Sequence, residues 1–131
     1  MGFGYSVGDI IAVSTLAWKV YRSCKDAPAS FQNIAGDISS MHAVLTNIAE
    51  TLEELTRLDR KKKDTLTLLR DACEQLLSGI DACLARFRSL GTQSTRTRDR
   101  LRWSQAAVDD VRARLPGVTA RLALFSTHLP S

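Results

Sequence analysis

From Phe31 to Leu55 the apolar residues Phe31, Ile34, Ile38, Met41, Leu45, Ile48, Leu52 and Leu55 follow one another at alternating spacings of three and four without a miss. A period of 3.5 excludes a strand, whose side chains alternate every second residue, and places all eight on one side of a long helix. The same spacing returns in Leu66, Leu69, Cys73, Leu76, Ile80, Cys83, Phe87 and Leu90. It returns again in Leu101, Val108, Val111, Leu115, Val118, Leu122, Phe125 and Leu129. No single helix can bury such a seam against itself, so three of them joined by short connections must pack side by side. Seven glycines and three prolines, most of them near the ends of the periodic stretches, are too few for the turns of an all-β chain of 131 residues.

The first twenty residues are of another kind. They carry only two charges, Asp9 and Lys19, behind a glycine-punctuated start, Gly2-Phe3-Gly4-Tyr5-Ser6-Val7-Gly8. Positions 10, 13, 17, 20 and 24 make one stripe, and Ile11 and Trp18 add a second apolar line seven residues apart, so this helix touches neighbours on two sides. A helix apolar nearly all round is enclosed by other helices or destined for lipid. Together the four segments predict an all-α, antiparallel four-helix bundle in a single domain, 1–131, running up-down-up-down with the first helix between the others.

The expected helices are 7–24, 27–58, 64–90 and 97–129. Ser6 is placed to cap the first, with Asp9 near its positive start, and Asp26 and Pro28 to open the second. The basic run Arg57-Leu58-Asp59-Arg60-Lys61-Lys62-Lys63 reads as a connecting loop at the carboxyl end of the second helix. Gly91 stops the third, and Gly91–Thr97 reads as a loop. Pro116 falls inside the last segment while the seam keeps phase across it, which predicts a kink and not a chain reversal. In this topology the lysine run lies at the same end as the N-terminus, and the arginines near 86–102 lie at the other.

With 44% hydrophobic and 24% charged residues the composition is that of a globular protein. The net charge of +4 is unevenly spread: residues 1–56 hold three basic side chains against six acidic ones, and residues 57–131 hold fifteen against eight. A basic half points to an anionic partner such as lipid headgroups. Arg86, Arg88, Arg96, Arg98, Arg100 and Arg102 form a second basic cluster. That cluster follows no helix-turn-helix or zinc-finger pattern and lacks interleaved aromatics, so nucleic acid is not favoured. Cys24, Cys73 and Cys83 show no CxxC spacing and read as reduced core residues, which favours the cytosol, as does the lack of a signal-peptide pattern. His42 and His128 have no partner at metal-ligand spacing, and no HExxH, GxSxG or phosphate-cradling glycine loop occurs. The expectation is a protein without catalytic residues, metal or cofactor. Gly2, Gly4 and Gly8 follow no strand and read as a helix entry, and Phe3 weakens the loose Met1-Gly2-x-x-x-Ser6 myristoylation pattern.

The block GFGYSVGDIIAVSTLAWKVY at 2–21, followed by Lys25-Asp26 and a helix containing Phe31, resembles the opening of fungal HeLo-like N-terminal domains. The later Leu101-Arg102-Trp103, the acidic pair Asp109-Asp110 and the leucine-bearing final helix resemble the same family, from which Pro116 departs. Such domains head STAND or NOD-like receptors. The resemblance implies a helical bundle related to membrane-targeting HeLo domains and similar in logic to the bundle of the mixed lineage kinase-like necroptosis executioner. It further implies a receptor that oligomerises on sensing non-self, in programmed cell death and fungal immunity, with the N-terminal helix permeabilising a membrane. On that footing the chain is expected to be the effector domain of a longer receptor or a free-standing homologue, cytoplasmic at rest and recruited to membrane on activation. Its expected partners are further copies of itself, anionic lipids and other receptor or effector domains. Phe3, Tyr5, Ile10, Ile11, Leu16 and Trp18 are the candidates for membrane insertion, and Arg57, Arg60, Lys61, Lys62 and Lys63 for headgroup binding. Eighteen helical residues extend about 27 Å, close to the thickness of a bilayer's hydrocarbon core. The alternative is a non-lytic interaction module that docks through an exposed apolar patch around Ile11 and Trp18.

Overall fold

Four helices account for nearly all of the chain: α1 (Gly2–Lys25), α2 (Ala29–Glu54), α3 (Arg60–Ser89) and α4 (Ser94–Thr127). The computed structural model describes the backbone of residues 2–27, 29–55, 57–89 and 94–129, and the side chains of 7–27, 31–55, 57–87, 106 and 108–129. Among the described residues there is no strand, and the fold class is all-α, a four-helix bundle.

Side-chain pairs give the direction of each neighbour. Ser14 meets Thr46 and Trp18 meets His42, one number rising as the other falls, so α1 and α2 run in opposite directions. Asp9 pairs with Arg70 and Lys19 with Asp81, rising together, so α1 and α3 are parallel. Lys61 and Thr65 at the start of α3 share a groove with Phe125 and His128 at the end of α4, so these two are opposed. Each helix packs against two others, in the order α1, α2, α4, α3 around the bundle. The α2–α3 connection therefore crosses a diagonal. Phe31 of α2 and Phe87 of α3 meet along that diagonal through the core, edge to face with centroids 5.6 Å apart. The starts of α1 and α3 and the ends of α2 and α4 share one end of the bundle.

The seams form a single core. Phe31, Ile34, Ile38, Met41, Leu45, Ile48 and Leu52 of α2 are all buried, as are Val108, Val111, Leu115, Val118 and Leu122 of α4. In α3 the sequence pattern needs correcting: Leu77 and Leu84 are buried, whereas Cys83 is only half-buried. A helix flanked by both α1 and α4 buries a wider arc than a two-residue seam, and Leu77 and Leu84 fill the added width. Leu90, Leu101 and Trp103 lie outside the described side chains, and Gly91 outside the described residues.

Helix ends moved for identifiable reasons. α1 begins at Gly2, so Ser6 lies inside the helix and does not cap it, and Asp9 sits beyond the first turn. α2 stops at Glu54, not Leu58, and Leu55 tightens the exit by donating its N–H to the Leu52 carbonyl at 3.2 Å. Leu58 is buried in the connection and anchors the crossing. Only part of the basic run is a loop: residues 57–59 lie in the connection, whereas Arg60–Lys63 form the first turn of α3. Asp59 caps it, its Oδ1 accepting the Lys62 N–H at 2.8 Å, and lysine and arginine are good helix formers once a cap is present. α4 begins at Ser94, within the stretch read as a loop, and continues through Pro116 to Thr127. Pro116 is exposed, as is Arg112, whose carbonyl loses its usual helical partner because proline has no N–H.

Candidate functional site

Helix α1 contributes Ile10, Val13, Ala17, Val20 and Cys24 to the core, so the bundle has no closed interior without it. Several polar links join it to α2 and α3, among them a hydrogen bond from Gln32 Nε2 to the Lys25 carbonyl at 3.3 Å. Asp9 Oδ2 lies 3.3 Å from Arg70 Nη1, and both side chains are roughly a quarter exposed. The guanidinium's Nη2 is also held by Asp71 at 2.6 Å. Lys19 and Asp81 pair across solvent at 3.7 Å, an interaction of little weight. The Ser14 hydroxyl, on a residue buried in the bundle, shares a hydrogen bond of 3.1 Å with Thr46 Oγ1.

The outer side of α1 is mixed, with Ile11 and Trp18 exposed beside Thr15, Lys19 and Arg22. Ile11 is 44% and Trp18 45% exposed, large values for such side chains. Trp18 stacks on Tyr21 with centroids 5.2 Å apart and leans on His42 of α2 at the same distance, which makes a firm aromatic platform at the α1–α2 edge. Of the insertion candidates, Ile11 and Trp18 are at the surface. Ile10 is in the core and Leu16 is half-buried against it, so both reach solvent only if α1 moves. The side chains of Phe3 and Tyr5 lie outside the described residues.

The basic candidates gather at the end of the bundle where α1 and α3 begin. Arg57, Arg60 and Lys61 are exposed and Lys62 and Lys63 half-buried. Lys62 Nζ is held by Asp59 Oδ2 at 3.0 Å. Hydrogen bonds from Lys62, first its backbone N–H and then its ammonium, hold the Asp59 carboxyl below its ordinary range. A helix start favours carboxylates; four successive cations in its first turn raise the local positive potential instead. Beside them a groove of about 440 Å³ runs between α3 and α4, floored by Leu69 and Phe125, walled by Leu124 and edged by Lys61, Lys62 and Arg121. Leu124 is 60% exposed there. Arg86 lies toward the opposite end on α3, and the side chains of Arg88, Arg96, Arg98, Arg100 and Arg102 lie outside the described residues.

The remaining chemistry-bearing groups have structural tasks. His128 Nδ1 donates to the Leu124 carbonyl at 2.8 Å and caps the end of α4, while His42 serves the aromatic platform. All three cysteines are thiols outside any disulfide, and burial pushes the Cys73 thiol up to about 12. Among the described residues no three His, Cys, Asp or Glu side chains are grouped to hold a metal ion.

Sequence reasoning missed the Asp9–Arg70 link and the α3–α4 groove. Arg70 falls one residue past the seam position Leu69, on the flank turned to α1, and Leu124 falls one residue before Phe125; neither shows in a single-stripe pattern. Among the described residues no helix is long and apolar enough to cross a membrane, so α1 matches a bilayer in length but not in composition. No family model, curated protein or solved structure matches the chain.

Proposed function

We propose that this chain is a HeLo-like effector bundle of the kind that heads fungal NOD-like receptors, and that it acts by self-association and contact with anionic membrane in regulated cell death. The observation that carries the reading is the placement of α1. Its inner face supplies core residues, its outer face presents Ile11 and Trp18, and polar links such as Ser14–Thr46 and Asp9–Arg70 fasten it to α2 and α3. Bringing copies together offers the apolar side of α1 a partner other than its own core, and a two-state element of this kind shifts only as far as that differential contact pays. Because α1 is not apolar enough to span alone, lipid contact is interfacial, with Arg57, Arg60 and Lys61 meeting headgroups, each membrane-proximal cation adding about 1 kcal/mol.

The exposed aromatic platform supports a second reading, a non-lytic module that docks on sister copies or on another receptor or effector domain through Ile11 and Trp18. One assay separates the two. The chain is fused to an inducible dimerisation tag, clustered, and presented to vesicles containing phosphatidylserine, with light scattering in parallel. The first reading predicts dye release that Ile11→Glu with Trp18→Glu abolishes in a folded protein. Clustering without release, with self-association lost in the same variant, leaves the docking module.

A further inference from the structure

We infer that the groove between α3 and α4 binds a single-chain anionic amphiphile, with its tail along Leu69, Leu124 and Phe125 and its head between Lys61 and Arg121. The floor and the rim differ in chemistry. Leu69 and Phe125 are buried at the bottom, and Leu124 stands 60% exposed on the wall, an unusual degree of exposure for a leucine inside a concave site. Lys62 is engaged by Asp59, but Lys61 and Arg121 have no ion pair among the described residues, so two cations edge the apolar floor without a carboxylate to neutralise them.

An apolar peptide would leave both cations desolvated and unmatched, and a small anion would leave the leucine wall in water. A molecule with one charged head and one hydrocarbon tail satisfies both halves, and the groove's volume of about 440 Å³ suits a small ligand, in the range of roughly 300–1,000 Å³ typical of such sites. Charge complementarity thus selects the occupant: a single-chain alkyl phosphate or carboxylate, as a free molecule or as an anionic lysolipid drawn from a bilayer.

This inference rests on the anionic-lipid part of the proposed function and assigns it a defined site. The test uses dodecyl phosphate below its micelle concentration, followed by isothermal titration, with inorganic phosphate and neutral dodecyl maltoside as the two half-ligands. Expected are one binding event per chain for dodecyl phosphate, at least tenfold weaker binding of either half-ligand, and at least fivefold loss of affinity in Arg121→Gln and in Leu124→Gln. Both positions are exposed, so the fold is kept, which circular dichroism verifies. Equal binding of dodecyl maltoside, equal binding of inorganic phosphate, or wild-type affinity in both variants overturns the proposal. Vesicles containing oleoyl lysophosphatidate then distinguish bilayer lipid from free amphiphile as the source. No bilayer enters the titration, so its failure leaves the leakage test of α1 untouched, and a failed leakage test leaves this site standing.

Discussion

The link between Asp9 and Arg70 makes an asymmetric prediction. At 3.3 Å the two charges attract by about 5 kcal/mol for an effective dielectric of about 20, before any cost is counted. With both side chains roughly a quarter exposed, solvent screening and lost side-chain freedom reduce the net value to about 1 kcal/mol. Arg70 also holds Asp71 at 2.6 Å, so Asp9→Asn leaves the guanidinium with a carboxylate and costs about 0.5–1 kcal/mol. Arg70→Met removes the shared cation and leaves Asp9 and Asp71 to repel each other, costing about 2 kcal/mol. Urea unfolding measures both, and for a chain of this size about 1 kcal/mol corresponds to roughly 4 °C in Tm. Hydrogen exchange supplies the local readout: α1 amides lose more protection than those of α4 in Arg70→Met, because the link fastens α1 alone. Equal costs for the two substitutions, or uniform loss of protection, refute the idea that this pair fastens α1.

Four further predictions concern the rest of the bundle. Thr119 Oγ1 is buried on α4 with no hydrogen-bond partner, so Thr119→Val raises stability by about 0.5–1 kcal/mol in urea unfolding, and a loss of that size contradicts the structure. Burial holds the Cys73 thiol up to about 12, so the folded state keeps its proton when the unfolded chain has released it. Its stabilisation is complete below about pH 8.5 and is lost as the pH climbs toward 12; a Cys73→Ala variant shows a flatter alkaline stability profile. At pH 8 a thiol reagent labels half-buried Cys83 well before Cys73. Asp59, held below its ordinary range by Lys62, stabilises α3 above about pH 4 and ceases to do so as the pH falls beneath its lowered value. Asp59→Ala therefore lowers Tm at pH 7, and the difference from the parent disappears in strong acid.

Much of the architecture was legible because a period of 3.5 leaves few options. The α2 seam from Phe31 to Leu52 is buried without exception, and Ile10, Val13, Ala17, Val20 and Cys24 face inward as their spacing predicts. The errors share a cause. A stripe records the middle of a buried face and not its edges, so Leu77, Leu84 and the flank residue Arg70 escaped notice, as did the ring order in which α2 and α3 sit on a diagonal. The charges of the basic run suggest a solvated loop, which residues 57–59 form; from Arg60 onward the Asp59 cap outweighs that, since a well-placed acceptor stabilises a helix start. Of the site, Ile11 and Trp18 could be read from their seven-residue spacing off the main stripe. The groove could not, because Leu69, Leu124 and Arg121 come together only when α3 and α4 are packed in register.

The account depends on α1 sealing the core at rest and leaving it in action. The hydroxyls of Ser14 and Thr46, 3.1 Å apart, mark where α1 can be tied to α2. Ser14→Cys with Thr46→Cys, in a Cys83→Ala background, allows the tie to be closed by oxidation and opened by reduction. The account predicts that clustered, oxidised protein keeps its helicity and leaves anionic vesicles intact, and that reduction restores dye release. Release at the same rate from the oxidised and reduced forms contradicts it.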